Sequence, residues 1–156
     1  TDSGISIVPD AVLHTNDSNR FEARHVHLRV EDKSQSFFTN KYETNQVLSI
    51  PNAHAEGKLM MSEEKFSELK SNNQIAFRYC DNEGNLEPGY PWNPNGAAYD
   101  IAGITNSQGN VLGMMPHPER VFHGWQHADW TSSGLDPSGP GDGRALFEGV
   151  VDFLCQ

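Results

Sequence analysis

An α/β domain is what this sequence predicts. Some stretches carry apolar residues at period two, as half-buried strands do. Others carry an apolar stripe at helical spacing, and the two kinds are interspersed along the chain. Between them lie 14 Gly and 9 Pro in 156 residues, which call for many turns and long connections. At this length a single domain with a real core is expected.

In chain order, residues 1–19 read as loop, with an apolar patch from Ile5 to Val12 broken by Pro9. Phe21 to Val30 reads as a strand, with Val26, Leu28 and Val30 on one face and His25, His27 and Arg29 on the other. The two histidines are expected on the solvent side, since a metal pair would lack a third ligand nearby. Asn45 to Ile50 is the next strand, running into Pro51 and then His54-Ala55-Glu56-Gly57. This His-x-Glu after a strand end leaves structural and functional roles equally open. Ser62 to Lys70 reads as a short helix, capped by Ser62, with Phe66 and Leu69 inward and no chemistry assigned.

Gln74 to Cys80 is a strand with Ile75, Phe77 and Tyr79 on one side. Tyr90 to Gly96 is a turn-rich loop. Ile101 to Thr105 and Val111 to Met115 form a hairpin around Asn106–Asn110, the second strand buried. Val121 to Gly143 is a long loop with Trp125 and Trp130, of the kind that is functional or mobile. Arg144 to Leu154 is a helix with Phe147, Val150, Val151 and Leu154 on its apolar stripe.

Eleven basic against 21 acidic residues give a formal charge of −10, which argues against nucleic acid or an anionic membrane as partner. No apolar run approaches the roughly 20 residues of a membrane span. The two cysteines, Cys80 and Cys155, form no disulfide framework, so a reducing, cytoplasmic location is expected.

The chemistry gathers at Pro116-His117-Pro118-Glu119-Arg120. The prolines end the preceding strand stiffly and present an imidazole with a carboxylate two residues on. A carboxylate on one ring nitrogen sets the tautomer and leaves the other nitrogen free to move a proton from a nucleophile. That nucleophile is not evident. Cys80 precedes an acidic turn, which would raise its pKa, and Cys155 sits at the unfavourable end of a helix dipole. Ser3 lacks the Gly-x-Ser-x-Gly elbow.

Five stretches together resemble a known family: Arg20–Arg24, Ala53–Gly57, Phe77–Asp81, Asn93–Gly96 and Gly109–Arg120. The chain is similar, over nearly its whole length, to the glutaminase part of phosphoribosylformylglycinamidine synthases, a triad-type (class I) glutamine amidotransferase family. The resemblance implies a class I amidotransferase-like (flavodoxin-like) mixed sheet flanked by helices, with the active site at the carboxyl ends of its strands. It assigns His117 and Glu119 the histidine and glutamate of a Cys-His-Glu triad. The family's cysteine lies in a Gly-x-Cys-x-Gly turn shortly before a segment like Thr1-Asp2-Ser3-Gly4. Residues 1–156 are therefore expected to be the C-terminal part of a single amidotransferase domain, inactive and poorly soluble alone. Ala55 departs from the family's His-Gly-Glu-Gly, a mild change unless that position needs φ > 0.

The implied reaction is hydrolysis of glutamine to glutamate and ammonia for ATP-dependent amidation of formylglycinamide ribonucleotide, in purine biosynthesis. The implied partners are a synthetase subunit and a small bridging subunit. No cofactor is expected in this chain, which has no Gly-rich phosphate loop; ATP and Mg²⁺ are expected on the synthetase. A separate glutaminase subunit is favoured over the tail of a larger synthetase. Arg120 is expected to pair with a carbonyl or carboxylate beside the site. Two other readings stand beside this one: a nucleophile-free module that docks on a synthetase, and a metal site from His117, His123 and His127 with Glu119.

Overall fold

The computed structural model describes residues 9–31 and 36–155. The Thr1–Gly4 segment with Ser3, and residues 5–8 of the first apolar patch, lie outside the described residues. A short ribbon pairs β1 (Ala11–His14) with β4 (Lys58–Met61). Neither strand was expected, since both are short and their apolar residues stay largely accessible.

The main sheet has the order β3 (Val47–His54), β2 (Glu22–Val30), β5 (Ile75–Cys80), β6 (Ile101–Thr105), β7 (Leu112–Met114). Every described pairing in it is antiparallel. β2 forms where the alternation places it, with Val26, Leu28 and Val30 buried. Its other face is covered as well: His27 packs on Trp92 and His25 lies 6.1 Å from the ring of His127. Both are half-buried rather than solvent-side, because the 90–96 and 121–143 loops fold across them, and burial lowers their pKa values.

β3 continues past Ile50 through Pro51 to His54. Proline is tolerated there because β3 is an edge strand, so the missing N–H falls on the side without a strand partner. β5 is central and buried on both faces, down to Cys80. β7 is the opposite edge. Expected buried, it instead leaves Gly113 exposed and Val111, just before it, 60% exposed, because only one neighbour covers it.

The two edges nevertheless meet. The backbone N–H of His117, three residues past β7, donates to the carbonyl of Pro51 in β3 at 2.7 Å. The sheet curls, as twisted sheets do, until the segment after β7 closes on β3. Inside the curl Leu28, Leu48, Ile50, Phe77, Tyr79, Val121 and Leu146 form one core. Each fully buried aliphatic side chain contributes about 1.5–3 kcal/mol.

α1 (Glu63–Ser71) starts at Ser62, whose hydroxyl accepts from the Lys65 N–H, and it buries Leu69. α2 (Arg144–Leu154) has the expected bounds but a different buried face, Leu146 and Gly149. A Cβ on Gly149 would stand 2.2 Å from the carbonyl oxygen of Phe37, so a glycine makes that contact possible. Val151 and Leu154 consequently remain exposed, and Phe147 packs only at the core's margin. The 121–143 loop doubles back on itself: Gly141 N–H bonds Phe122 O and Gly143 N–H bonds Val121 O. Among the described residues no helix is long and apolar enough to cross a membrane.

Candidate active site

The core face of the β2–β3 pair changes character along its length. Cross-strand partners share a face of the sheet. From Leu28 opposite Leu48 and Val26 opposite Ile50 it passes to Arg24 opposite Asn52 and Glu22 opposite His54. The apolar core thus runs out into polar side chains at the end where the curl closes. Glu22 is buried and accepts from Arg24 at 2.9 Å, while Arg24 also donates to the Tyr90 hydroxyl at 2.9 Å.

A buried amide chain holds this end together. Asn95 accepts from Asn52 at 3.0 Å and donates to Asn16 at 2.7 Å. Asn16 in turn donates to the His54 carbonyl at 2.7 Å and accepts from the Gly57 N–H at 2.9 Å. Asn93 ties its own loop closed through the N–H and carbonyl of Ala97. The Ala53–Gly57 and Asn93–Gly96 stretches, far apart in sequence, are thereby one structural unit. Ala55 is not among the residues with positive φ, so an L side chain fits there without strain.

His117 stands on this unit. Pro116 and Pro118 are buried on either side of it, and Pro118 begins the 3-10 turn Pro118–Val121. That turn swings Glu119 back, so its Oε1 lies 2.9 Å from Nδ1 of His117. The turn leaves no room for a side chain beneath it: a Cβ on Gly143 would stand 2.0 Å from the carbonyl oxygen of Pro118. Arg120 lies 3.7 Å from the same Glu119 oxygen, the carboxylate pairing expected of it. Nε2 of His117 is buried and has no hydrogen-bond partner among the described residues. Nδ1 held by a carboxylate and Nε2 left free is the arrangement of an imidazole set to exchange a proton.

The ring of His54 stacks on that of His117, with centroids 4.8 Å apart and planes 12° apart. Nε2 of His54 meets the carbonyl of Met115. Burial lowers the His54 pKa, as do the neighbouring His117 and Arg120. Two further buried atoms at this end, Nε of Arg24 and Oδ1 of Asn52, also lack partners among the described residues. Unpaired buried polar atoms cost about 1–3 kcal/mol each and mark functional positions when they cluster.

The structure brings His117 and Glu119 together as expected. It does not support a nucleophilic Cys80, whose thiol is buried and pushed up to about 12, chiefly by desolvation. Cys155 is exposed, at the end of α2. The metal reading fails on geometry. His123 stacks on Trp125 and the buried His127 faces Asp142 at 3.6 Å, while His117 turns to Glu119. Among the described residues no group of three or more His, Cys, Asp or Glu is placed to hold a metal ion. The sequence singles out His54 but leaves its role open, and it gives no separate sign of Arg24 or Asn52 at this end. The phase of Glu22 and Arg24 with Val26, Leu28 and Val30 was the available signal.

Residues 6–154 match the CobB/CobQ-like glutamine amidotransferase domain. The chain is 43% identical to phosphoribosylformylglycinamidine synthase subunit PurQ of Archaeoglobus fulgidus, over 98% of this chain and 54% of that protein. It is 48% identical to the same subunit of Picrophilus torridus, over 73% of this chain and 44% of that protein. The structure of PurLQS from Thermotoga maritima superimposes with a TM-score of 0.65 at 28% identity, covering 92% of this chain and 53% of the matched chain. The chain spans about half the length of the curated relatives it matches. With residues 6–154 matched by the family profile and the α/β fold shared, the chain belongs to the CobB/CobQ-like glutamine amidotransferase family.

Proposed function

We propose that this chain is the histidine–glutamate half of the glutaminase of a phosphoribosylformylglycinamidine synthase, the C-terminal part of one amidotransferase domain. The observation that carries the reading is His117, bound to Glu119 through Nδ1 and free at a buried Nε2, in a chain whose relatives bear the PurQ name. In this reading a cysteine from the part of the relatives' length that this chain does not match gives its thiol proton to His117 Nε2 and, as the thiolate, attacks the side-chain amide carbon of glutamine. Backbone N–H groups beside that cysteine stabilise the oxyanion.

As the tetrahedral intermediate collapses, the C–N bond breaks and His117 Nε2–H gives its proton to the departing ammonia. The resulting thioester is attacked by water, whose proton His117 now takes; the C–S bond breaks and glutamate leaves. Glu119 holds the ring and stabilises its cationic form. Arg24 Nε and Asn52 Oδ1, unpaired at the same end, are candidates to hold the amino-acid end of the substrate. The ammonia passes to a synthetase subunit that carries ATP and Mg²⁺ and amidates formylglycinamide ribonucleotide, with a small bridging subunit in the assembly. A cytoplasmic setting follows from that pathway.

The test is ammonia release from glutamine by the full-length gene product with its synthetase. His117→Ala is expected to lower the rate by at least about a thousand-fold. An unchanged rate would overturn the assignment. So would a full-length product with no cysteine upstream in a Gly-x-Cys-x-Gly turn, which would leave a module that only docks on a synthetase.

A further inference from the structure

We propose that His54 is a positioning residue for His117, its ring stacked flat against that imidazole and anchored through Nε2–H to the carbonyl of Met115. The inference rests on the glutaminase reading, because it concerns how the proton-transferring ring is held.

Glu119 cannot fix that ring alone. Its side chain is 55% exposed, so water competes for the carboxylate, and a single hydrogen bond to Nδ1 leaves rotation about that bond open. A flat contact on the ring face removes that freedom. The stack of His54 on His117, tilted by only 12°, supplies it. The anchor also fixes the tautomer of His54. A carbonyl oxygen only accepts, so Nε2 of His54 must carry the proton.

His54 is itself held from behind. Its carbonyl accepts from Asn16, which is buried and bonded to the equally buried Asn95. The backbone of the supported ring is tied to the same strand, since the His117 N–H donates to Pro51. The support therefore runs Asn95, Asn16, His54, His117, with Pro51 and Met115 fixing the two backbones around the rings. Beside the ring, His117 and Arg120 both disfavour a cationic His54; Glu22 lies opposite His54 across the β2–β3 pair and is bonded to Arg24.

The experiment is proton and nitrogen magnetic resonance of the full-length gene product with labelled histidines, in wild type and in His54→Phe, His54→Gln and His54→Ala. The expected signature is a downfield, slowly exchanging Nδ1–H resonance of His117 in wild type. His54→Phe keeps a flat ring and should retain it. His54→Gln keeps a donor for Met115 without a ring, and should lose it or broaden it while core methyl shifts stay put. His54→Ala should behave like His54→Gln; should it fail to fold, the Phe and Gln variants decide alone.

A wild-type resonance in a folded His54→Gln or His54→Ala variant would overturn the proposal and make His54 a residue of the fold only. So would its loss in His54→Phe. In the full-length enzyme His54→Ala should reduce kcat about ten-fold with KM unchanged, and His54→Phe should restore most of it. The resonance reads ring geometry whether or not glutamine is hydrolysed. A protein with the expected resonance pattern and no glutaminase activity would thus sink the function and leave the bracket standing.

Discussion

The chain contains two His-x-Glu segments after strand ends, His54-Ala55-Glu56 and His117-Pro118-Glu119, and they do different things. At the second, Pro118 opens a 3-10 turn that brings the carboxylate back onto its own histidine at 2.9 Å. At the first, the chain bends away at residues 55–56 and is pinned through Gly57 to Asn16, which leaves Glu56 exposed and unbonded to His54 among the described residues. His54 turns instead to Met115 and to the face of His117. Equal spacing does not give equal geometry. The backbone between the two side chains decides whether they meet, and here the proline supplies the turn.

That contrast is sharpest in the carboxylates. Under the glutaminase reading, Glu119→Gln should reduce ammonia release by the full-length enzyme by about a hundred-fold or more, since the ring loses both its orientation and the charge that stabilises its cation. Glu56→Gln, the same change at the same spacing, should stay within about two-fold. Comparable losses in a side-by-side steady-state assay would show that the two segments are not functionally distinct after all.

The next effect is on stability and lies behind the first segment. Asn95→Ala removes the acceptor of Asn52 and Tyr79 and the donor to Asn16, all of them buried. Leaving such groups unsatisfied should cost roughly 2–4 kcal/mol, read as a lower urea midpoint with unchanged slope. A loss below about 1 kcal/mol would mean that the amide chain is dispensable and that the strand-end geometry of His54 is set elsewhere.

Much of this was legible in the residues. Period-two alternation located β2 and β5, the turn residues located the β6–β7 hairpin, and Pro-His-Pro-Glu announced the pairing of His117 with Glu119. What was not legible depends on contacts distant in sequence. Pro51 reads as the end of a strand unless it is known to lie on an edge. The closure of His117 onto Pro51, which creates the site, has no local signal at all. The buried face of α2 departs from its apolar stripe because it is organised around Gly149, which such a stripe does not count. His54 carried a motif but no reason, since its partner ring comes from the other edge of the sheet.

Acid should act on the first segment through His54, by a smaller amount. The His54 pKa is lowered from the usual 6.5, first by burial and then by His117 and Arg120, against a raising contribution from the Met115 carbonyl. The folded state therefore binds fewer protons at this site than the unfolded chain. Stability is fully present above about pH 6.5 and is lost as pH falls from there through the folded value. His25 and His27 are lowered in the same direction by burial and contribute over the same window. Melting temperature measured from pH 7.5 down to 5 should thus fall in wild type, and fall less steeply in His54→Phe, which keeps the ring and has nothing to titrate. Parallel curves would mean that His54 binds its proton in the folded chain as readily as in the unfolded one. The ring behind His117 would then be as free to take up a proton as any exposed imidazole, and burial would not distinguish the first segment's histidine in this respect.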